Sequence, residues 1–379
     1  MKKRILLSFG TRPEAIKMAP LIHALKALPN DFEAIVCVTA QHREMLDQAL
    51  EIFSITPDFD LNLMRRGQDL HSLTGEMLIA MRDVIQKTAP NLLLVHGDTT
   101  STFASAIAGF YSNLPVGHIE AGLRTGNILQ PFPEEFNRQV VSKIAKWNFA
   151  PTERSKLNLL KEGVNPGSIF VTGNTVIDSL YWILQKLDLD DSRRNRWVLE
   201  LSGVLGFDWQ SKPFVLITGH RRENHGDNFI QICKALKQLA HRFKAVEFVY
   251  PVHPNPAIYE AAHRLLGSID NIYLIEPLEY EPFILLLKAA YIILTDSGGI
   301  QEEAPSLKKP VLVMRDTTER PEGVEAGAIR LVGTDADEII KNVSELLTNN
   351  ILYQDMINSD NPYGDGTACQ KIISILKDC

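Results

Sequence analysis

Residues Tyr291–Glu303 read YIILTDSGGIQEE, and the fold follows from how this stretch divides. Tyr291, Ile292, Ile293 and Leu294 form a short apolar run of the kind that makes a buried parallel strand. Thr295-Asp296-Ser297-Gly298-Gly299 breaks it, and Ile300 with Gln301, Glu302 and Glu303 starts a helix. Two adjacent glycines allow a tight turn and leave no side chain between the helix N-terminus and a ligand. Unpaired N–H groups plus roughly half a positive charge from the helix dipole make such an end an anion site. Alone, Ser297-Gly298-Gly299 reads as an ordinary strand-to-helix turn; the surrounding chain gives it more meaning.

Outward from this stretch, strands alternate with helices. Strands are predicted at Ile5–Phe9, Ala34–Thr39, Leu92–Val95, Val116–Ile119 and Ile169–Thr172. Between them, helical spacing marks Pro20–Leu28, Arg43–Phe53, Leu70–Lys87, Thr99–Tyr111 and Phe136–Lys146. Gln185–Lys212, charged and interrupted by glycines, reads as an interdomain segment. The plan then resumes with Phe214–Thr218, Asn228–His241, Val246–Tyr250, Ile272–Ile275, Phe283–Ala290, Tyr291–Leu294 and Val311–Met314, closing on a helix at Ala368–Lys377. This alternation predicts α/β architecture with mostly parallel sheets. The halves also match: Ile5 onward parallels Val215 onward, Leu92–Asp98 parallels Ile292–Gly298, and Pro115–Ile119 parallels Pro310–Met314. Two similar domains whose strand ends face each other would form a ligand-binding cleft.

Composition narrows the function. The 379 residues, 45% of them hydrophobic, suffice for full cores, and a net charge of −7 argues against general nucleic-acid binding. Cys37, Cys233, Cys369 and Cys379 show no paired spacing, which predicts a reducing compartment and no zinc site. His118-Ile119-Glu120 imitates half of a zinc deaminase signature but lacks its cysteines, so no metal is expected. The apolar run after Met1-Lys2-Lys3-Arg4 ends by Gly10, as a first strand would, and Phe283–Leu294 contains Lys288 and is too short to span a bilayer. A cytoplasmic protein without a membrane partner is expected.

Informative polar groups fall just after predicted strands. Arg12, Glu14, Lys17, Asp98, Glu120, Arg124, Glu134 and Glu135 come from the first half. His220 to Glu223, His253, Ser297-Gly298-Gly299 and Arg315 to Arg320 come from the second. Carboxylates on one side suit proton transfer, and glycines with cations on the other suit a diphosphate. Missing GxGxxG, Walker A, Ser-His-Asp and HExxH patterns point to acid–base chemistry without a cofactor. Plainer roles exist: Asp98 as a helix cap, Glu120 as a surface carboxylate, Arg12 and Lys17 as solvated helix-start charges, and His220 as a cap or core residue.

The resemblance is specific. Gly10–Lys17, His96-Gly97-Asp98-Thr99, Gly117–Arg124, Pro133-Glu134-Glu135, Gly173-Asn174-Thr175, Gly219–Glu223, Thr295–Pro305, Thr318–Glu322 and Asn361–Gly366 resemble the non-hydrolysing UDP-N-acetylglucosamine 2-epimerases nearly end to end. That resemblance implies a GT-B-like pair of Rossmann-like domains: 1–172 as the acid/base wall, 173–365 as the UDP-binding wall, and a last helix, 366–379, packing back on the first domain. It also implies a homodimer. Asp98, Glu120 and Glu134 match the family's acidic catalytic residues and His220 its active-site histidine. Arg12, Lys17 and Arg320 match substrate-contacting cations, Phe283 the residue beside uracil, Ser297, Gly298 and Gly299 the diphosphate loop, and Glu303 the ribose ligand. Gln41-His42-Arg43, with which His253 is grouped, resembles a segment that in some members binds a second UDP-N-acetylglucosamine as activator, with Glu44 standing where those members can have glutamine.

The reaction so implied converts UDP-N-acetylglucosamine to UDP-N-acetylmannosamine, feeding surface polysaccharide, through elimination of UDP and its re-addition. Removing and returning a proton on opposite faces of C2 needs at least two acid–base groups, which a carboxylate cluster supplies. A GT-B glycosyltransferase would use the same UDP-sugar but require an acceptor, and a non-catalytic nucleotide-sugar sensor would have no use for several acids.

Overall fold

The computed structural model describes residues 2–39, 43–65, 67–219, 221, 224 and 226–378. The chain divides into two compact units, Met1–Trp182 with Tyr363–Cys379, and Ile183–Pro362. The family resemblance places these joints at 172 and 365.

In the first unit, β1 (Lys3–Phe9), α1 (Arg12–Lys26), β2 (Phe32–Val38), α2 (Arg43–Ile52), β3 (Phe59–Asp60), α3 (Leu70–Thr88) and β4 (Leu92–His96) come first. They lead to α4 (Thr100–Tyr111), β5 (Val116–Ile119), α5 (Glu134–Ile144), β6 (Trp147–Ala150), α6 (Glu153–Lys161), β7 (Ile169–Val171) and the first half of α7 (Thr175–Leu189), whose residues from Ile183 on count with the second unit. Among the described residues the strands form one parallel sheet in the order β3-β2-β1-β4-β5-β6-β7. Helices cover it, so strands such as β4 are buried along their whole length and read as unbroken apolar runs.

The second unit contains α8 (Asp191–Leu205), β8 (Phe214–Thr218), α9 (Asp227–Arg242), β9 (Glu247–Pro251), α10 (Pro256–Leu266), β10 (Ile272–Ile275) and α11 (Tyr280–Ala289). It continues with β11 (Ile292–Thr295), α12 (Gly298–Ser306), β12 (Val311–Val313), α13 (Pro321–Glu325), β13 (Ile329–Leu331), α14 (Ala336–Thr348) and α15 (Asn350–Ile357). Its sheet is also parallel, ordered β10-β9-β8-β11-β12-β13. In its own strand count the second sheet runs 3-2-1-4-5-6, the Rossmann order, and the first runs the same way with a seventh strand added at the end.

The internal matches keep register to the residue. Ile5 pairs with Leu92 as Val215 pairs with Ile292, and Leu93 pairs with Val116 as Ile293 pairs with Val311.

α16 (Ala368–Lys377) belongs to the first unit and packs on α1. Its first N–H groups, from Ala368 and Cys369, donate to Asp178 on α7 at 3.2 and 2.8 Å, and its end is held by Lys3 Nζ, which donates to the Leu376 and Lys377 carbonyls.

Three expectations change. The segment read as an interdomain connection carries the end of α7 and all of α8; Trp197, Leu201 and Leu205, four apart, form a buried stripe that the surrounding charges mask. The first helix begins at Arg12 rather than Pro20, because Thr11 and Glu14 form a capping box and Pro13 sits in the first turn. α12 begins at Gly298 rather than Ile300. Among the described residues no helix is long and apolar enough to cross a membrane.

Candidate active site

In the first unit the predicted acids occupy the ends of neighbouring strands. Gly97, with φ of 72°, turns the chain after β4 and presents Asp98. Two bonds from Arg138, 2.6 and 2.8 Å long, reach Asp98 Oδ2, and Asn137 Nδ2 donates to its backbone carbonyl at 2.8 Å. Arg138 also donates to the fully buried Glu135 at 3.0 Å, whose carboxylate accepts the Thr125 and Gly126 N–H groups. One arginine on α5 thus braces the loops that follow both β4 and β5. Asp98 is not the helix cap, since the Thr99 hydroxyl accepts the Thr102 N–H.

Glu120 follows β5 with a left-handed backbone, φ of 65°, which a residue with a side chain adopts only when its surroundings hold it there. Lys17 of α1 forms an ion pair with Glu120 Oε2, and Asn174 Nδ2 donates to the same oxygen at 2.8 Å. The Lys17 and Glu120 side chains are only 11% and 10% exposed, so neither is a solvated surface charge. A Cβ placed on Gly97 would stand 3.7 Å from Glu120 Oε1, which shows how closely the two strand ends approach. Glu134 is the half-buried first residue of α5, where the helix dipole favours a carboxylate. Arg12 opens α1 and is half-buried.

Two histidines beneath these loops are neutral. Burial drives His118 down to about 3, and its Nε2 donates to the Gly97 carbonyl at 2.7 Å, pinning the turn that carries Asp98. Burial likewise drives His96 down to about 4, with the Lys17 charge adding to it and the Glu120 charge opposing it; neither ring nitrogen meets a partner among the described residues. Glu14, itself pushed up by burial, accepts from Gly10, Thr11, Thr99 and Thr102 and joins the starts of α1 and α4.

In the second unit Ser297 precedes α12 without a side-chain capping bond, and its own N–H donates to Thr295 Oγ1 at 2.9 Å. Gly298 and Gly299 do not use positive φ, contrary to the tight-turn expectation. Space is what Gly298 provides: a Cβ there would lie 2.6 Å from Arg320 Nη1. Arg320 is held by Glu302, fully buried, through Nε at 2.6 Å. Although burial pushes the adjacent Glu319 carboxyl up, hydrogen bonds from Arg315 together with the Arg315 and Arg320 charges bring it down to about 2. Glu303, one turn along α12, accepts from the Tyr280 hydroxyl at 2.6 Å, and Phe283 lies on the same helix as Tyr280. Ser297, Gly298, Gly299, Glu303 and Arg320 therefore cluster on one helix start.

The remaining predicted positions stand differently. Arg43 opens α2, exposed and paired with Asp47 at 2.8 Å and with Asp60. His253 is exposed beyond β9, where its Nδ1 accepts the Asn255 N–H. Gln41, His42 and His220 lie outside the described residues. Sequence reasoning gave no individual role to Arg138, Asn137 or Asn174. The available signals were the spacing of Arg138 one turn from Glu134 and the position of Asn174 just past a strand.

Two Rossmann-like domains, one carrying ion-paired carboxylates at its strand ends and one a glycine-fronted helix under an arginine, define a GT-B-like nucleotide-sugar enzyme. The UDP-N-acetylglucosamine 2-epimerase profile matches residues 23–377. A Yersinia pestis UDP-N-acetylglucosamine 2-epimerase is 54% identical over 375 residues, covering 99% of this chain and 98% of that one. The crystal structure of the Neisseria meningitidis enzyme bound to UDP-GlcNAc superposes with a TM-score of 0.90 at 48% identity, covering 99% of this chain and 100% of that one. The Methanocaldococcus jannaschii enzyme in complex with UDP-GlcNAc and UDP gives 0.80 at 33% identity over the full length of both. The chain belongs to the UDP-N-acetylglucosamine 2-epimerase family.

Proposed function

We propose that this protein interconverts UDP-N-acetylglucosamine and UDP-N-acetylmannosamine by eliminating and re-adding UDP. The observation that carries the reading is the pair of cation-braced carboxylates, Asp98 with Arg138 and Glu120 with Lys17, at the ends of adjacent strands. The sugar C2 proton has no neighbouring carbonyl, so its direct removal would demand an impossibly strong base. In the proposed path the C1–O bond breaks first and its electron pair leaves with UDP, whose diphosphate is met by the Gly298 and Gly299 N–H groups, the Ser297 hydroxyl and Arg320. A carboxylate takes the C2 proton, and the C–H pair becomes the C1=C2 bond of 2-acetamidoglucal. A proton delivered to the opposite face of C2 and attack of the UDP oxygen on C1 complete the inversion.

Asp98, Glu120 and Glu134 are proposed as the acid–base set, with His220 supporting the diphosphate. Arg12 and Lys17 are assigned to the substrate, Phe283 to the base and Glu303 to the ribose. Incubation with UDP-N-acetylglucosamine alone in deuterated water should yield a second UDP-sugar carrying deuterium at C2, read by NMR. Product without deuterium would overturn the elimination path; no second UDP-sugar would point to a glycosyltransferase awaiting an acceptor, or to a sensor.

Further assignments belong to this reading. A reducing cytoplasmic setting suits the free, buried Cys37, Cys233 and Cys369. Homodimer formation is proposed through the α3–α4 face, where Ile79, Phe110 and the 75% exposed Tyr111 cluster; light scattering showing a monomer would remove it. A second UDP-N-acetylglucosamine as activator at Gln41-His42-Arg43 and His253 predicts a lag when the reaction starts from UDP-N-acetylmannosamine.

A further inference from the structure

Asn174 sits between the end of β7 and the start of α7 with every part of its amide group oriented. Its Oδ1 accepts the Val176 N–H at 3.1 Å, which caps α7 and fixes which end of the amide is the oxygen. Nδ2 is thereby turned to donate, and it donates to Glu120 Oε2 at 2.8 Å. The backbone is anchored as firmly, because the Asn174 N–H donates to the Tyr363 carbonyl at 2.7 Å. Gly173, with φ of 90°, brings that contact about: a Cβ there would lie 3.3 Å from the Tyr363 carbonyl oxygen and 3.4 Å from Gly364 Cα. Tyr363 itself is fully buried against Val176 and Ile177. Asn174 is thus fixed at three points, while the residue it grips is held in a strained left-handed conformation.

We infer that Asn174 is a positioning residue, holding the Glu120 carboxylate at the orientation needed for C2 proton transfer, and that the returning segment Tyr363–Gly364 holds Asn174 in turn. The inference rests on the reading of Glu120 as an acid–base group. It separates two duties of one side chain, since Oδ1 serves helix α7 and Nδ2 serves Glu120.

Asn174→Asp divides these duties experimentally. The variant keeps an oxygen for the Val176 N–H and keeps the backbone bond to Tyr363, but presents a second carboxylate to Glu120 instead of a donor. Its kcat should fall about 10²-fold, the scale of loss from misplacing a reacting group by about 1 Å, while KM holds and the pH optimum moves, because two neighbouring carboxyl groups now compete for one proton. Introduced into Glu120→Gln, the same change should cost nothing further, because the group it positions is already disabled. Wild-type turnover in Asn174→Asp beside an inactive Glu120→Gln overturns the positioning role alone. Equal losses in both backgrounds would show that Asn174 acts other than through Glu120 and would overturn the positioning role. Full turnover in Glu120→Gln would overturn the acid–base reading and this inference with it.

Discussion

The two units place different chemistry on equivalent positions of one scaffold. In the register shared by β4 and β11, His96-Gly97-Asp98-Thr99 of the first unit corresponds to Asp296-Ser297-Gly298-Gly299 of the second. An acid braced by Arg138 stands where the second unit has bare backbone under Arg320. Each unit brings an arginine to the same strand end, and one side chain decides what that arginine serves. Arg138 is paired with the side chain that fills this position, Asp98; Arg320, paired with Glu302 and Glu319 from elsewhere, lies against a position left without a side chain, an arrangement that suits a phosphate.

The largest expected effects fall on the acids. Asp98→Asn or Glu120→Gln should lower turnover by about 10²–10⁴-fold while UDP binding, measured by calorimetry, stays near its original value. Equal loss of both would break the division of labour between the units. Arg138→Met should destabilise the first unit by about 3 kcal/mol, because Glu135 remains buried with its charge uncompensated; denaturant unfolding would measure this. Gly298→Ala should leave the acids intact but force Arg320 aside, weakening UDP by about 1.5–3 kcal/mol, the worth of a hydrogen bond to a charged group. Unchanged UDP affinity would remove the space argument for that glycine.

A further effect, comparable in size, concerns acid. His96 and His118 are held near 4 and 3, below the ordinary histidine value of 6.5, whereas Asp296 and Val313 occupy the matching places of the second unit. Histidines depressed on folding stabilise the protein fully above about pH 6.5, and that contribution is lost as pH falls toward 4, because the unfolded chain takes up the protons first. Each should cost up to about 1.4 kcal/mol per pH unit in that window. Hydrogen exchange at pH 7 and pH 5 should therefore show the first unit losing protection ahead of the second.

Much of this was legible before any coordinates. Strands buried on both faces announce themselves as apolar runs, and Asp98, Glu120 and Ser297–Gly299 stand just beyond such runs, where the sequence reading looks for them. α8 was hidden because its buried stripe of Trp197, Leu201 and Leu205 is embedded among charges. The grips of Arg138 and Asn174 were invisible for another reason: their partners lie 40 and 54 positions away, so only the sheet order brings them together. The left-handed backbone of Glu120 carries no compositional mark, since a glycine would be the usual signal for it.

The docking of α16 on α1 has a bearing on how the protein is made. The second unit is continuous in the chain, but the first needs Tyr363 onward for its Asn174 anchor, its Asp178 cap contacts and the partner of Lys3. On the ribosome, the first unit must wait for turns synthesised after the whole of the second before it is finished, so the glycine-fronted unit is the one expected to mature first. Removing those turns should leave the first unit without its anchor at Asn174 and never properly closed.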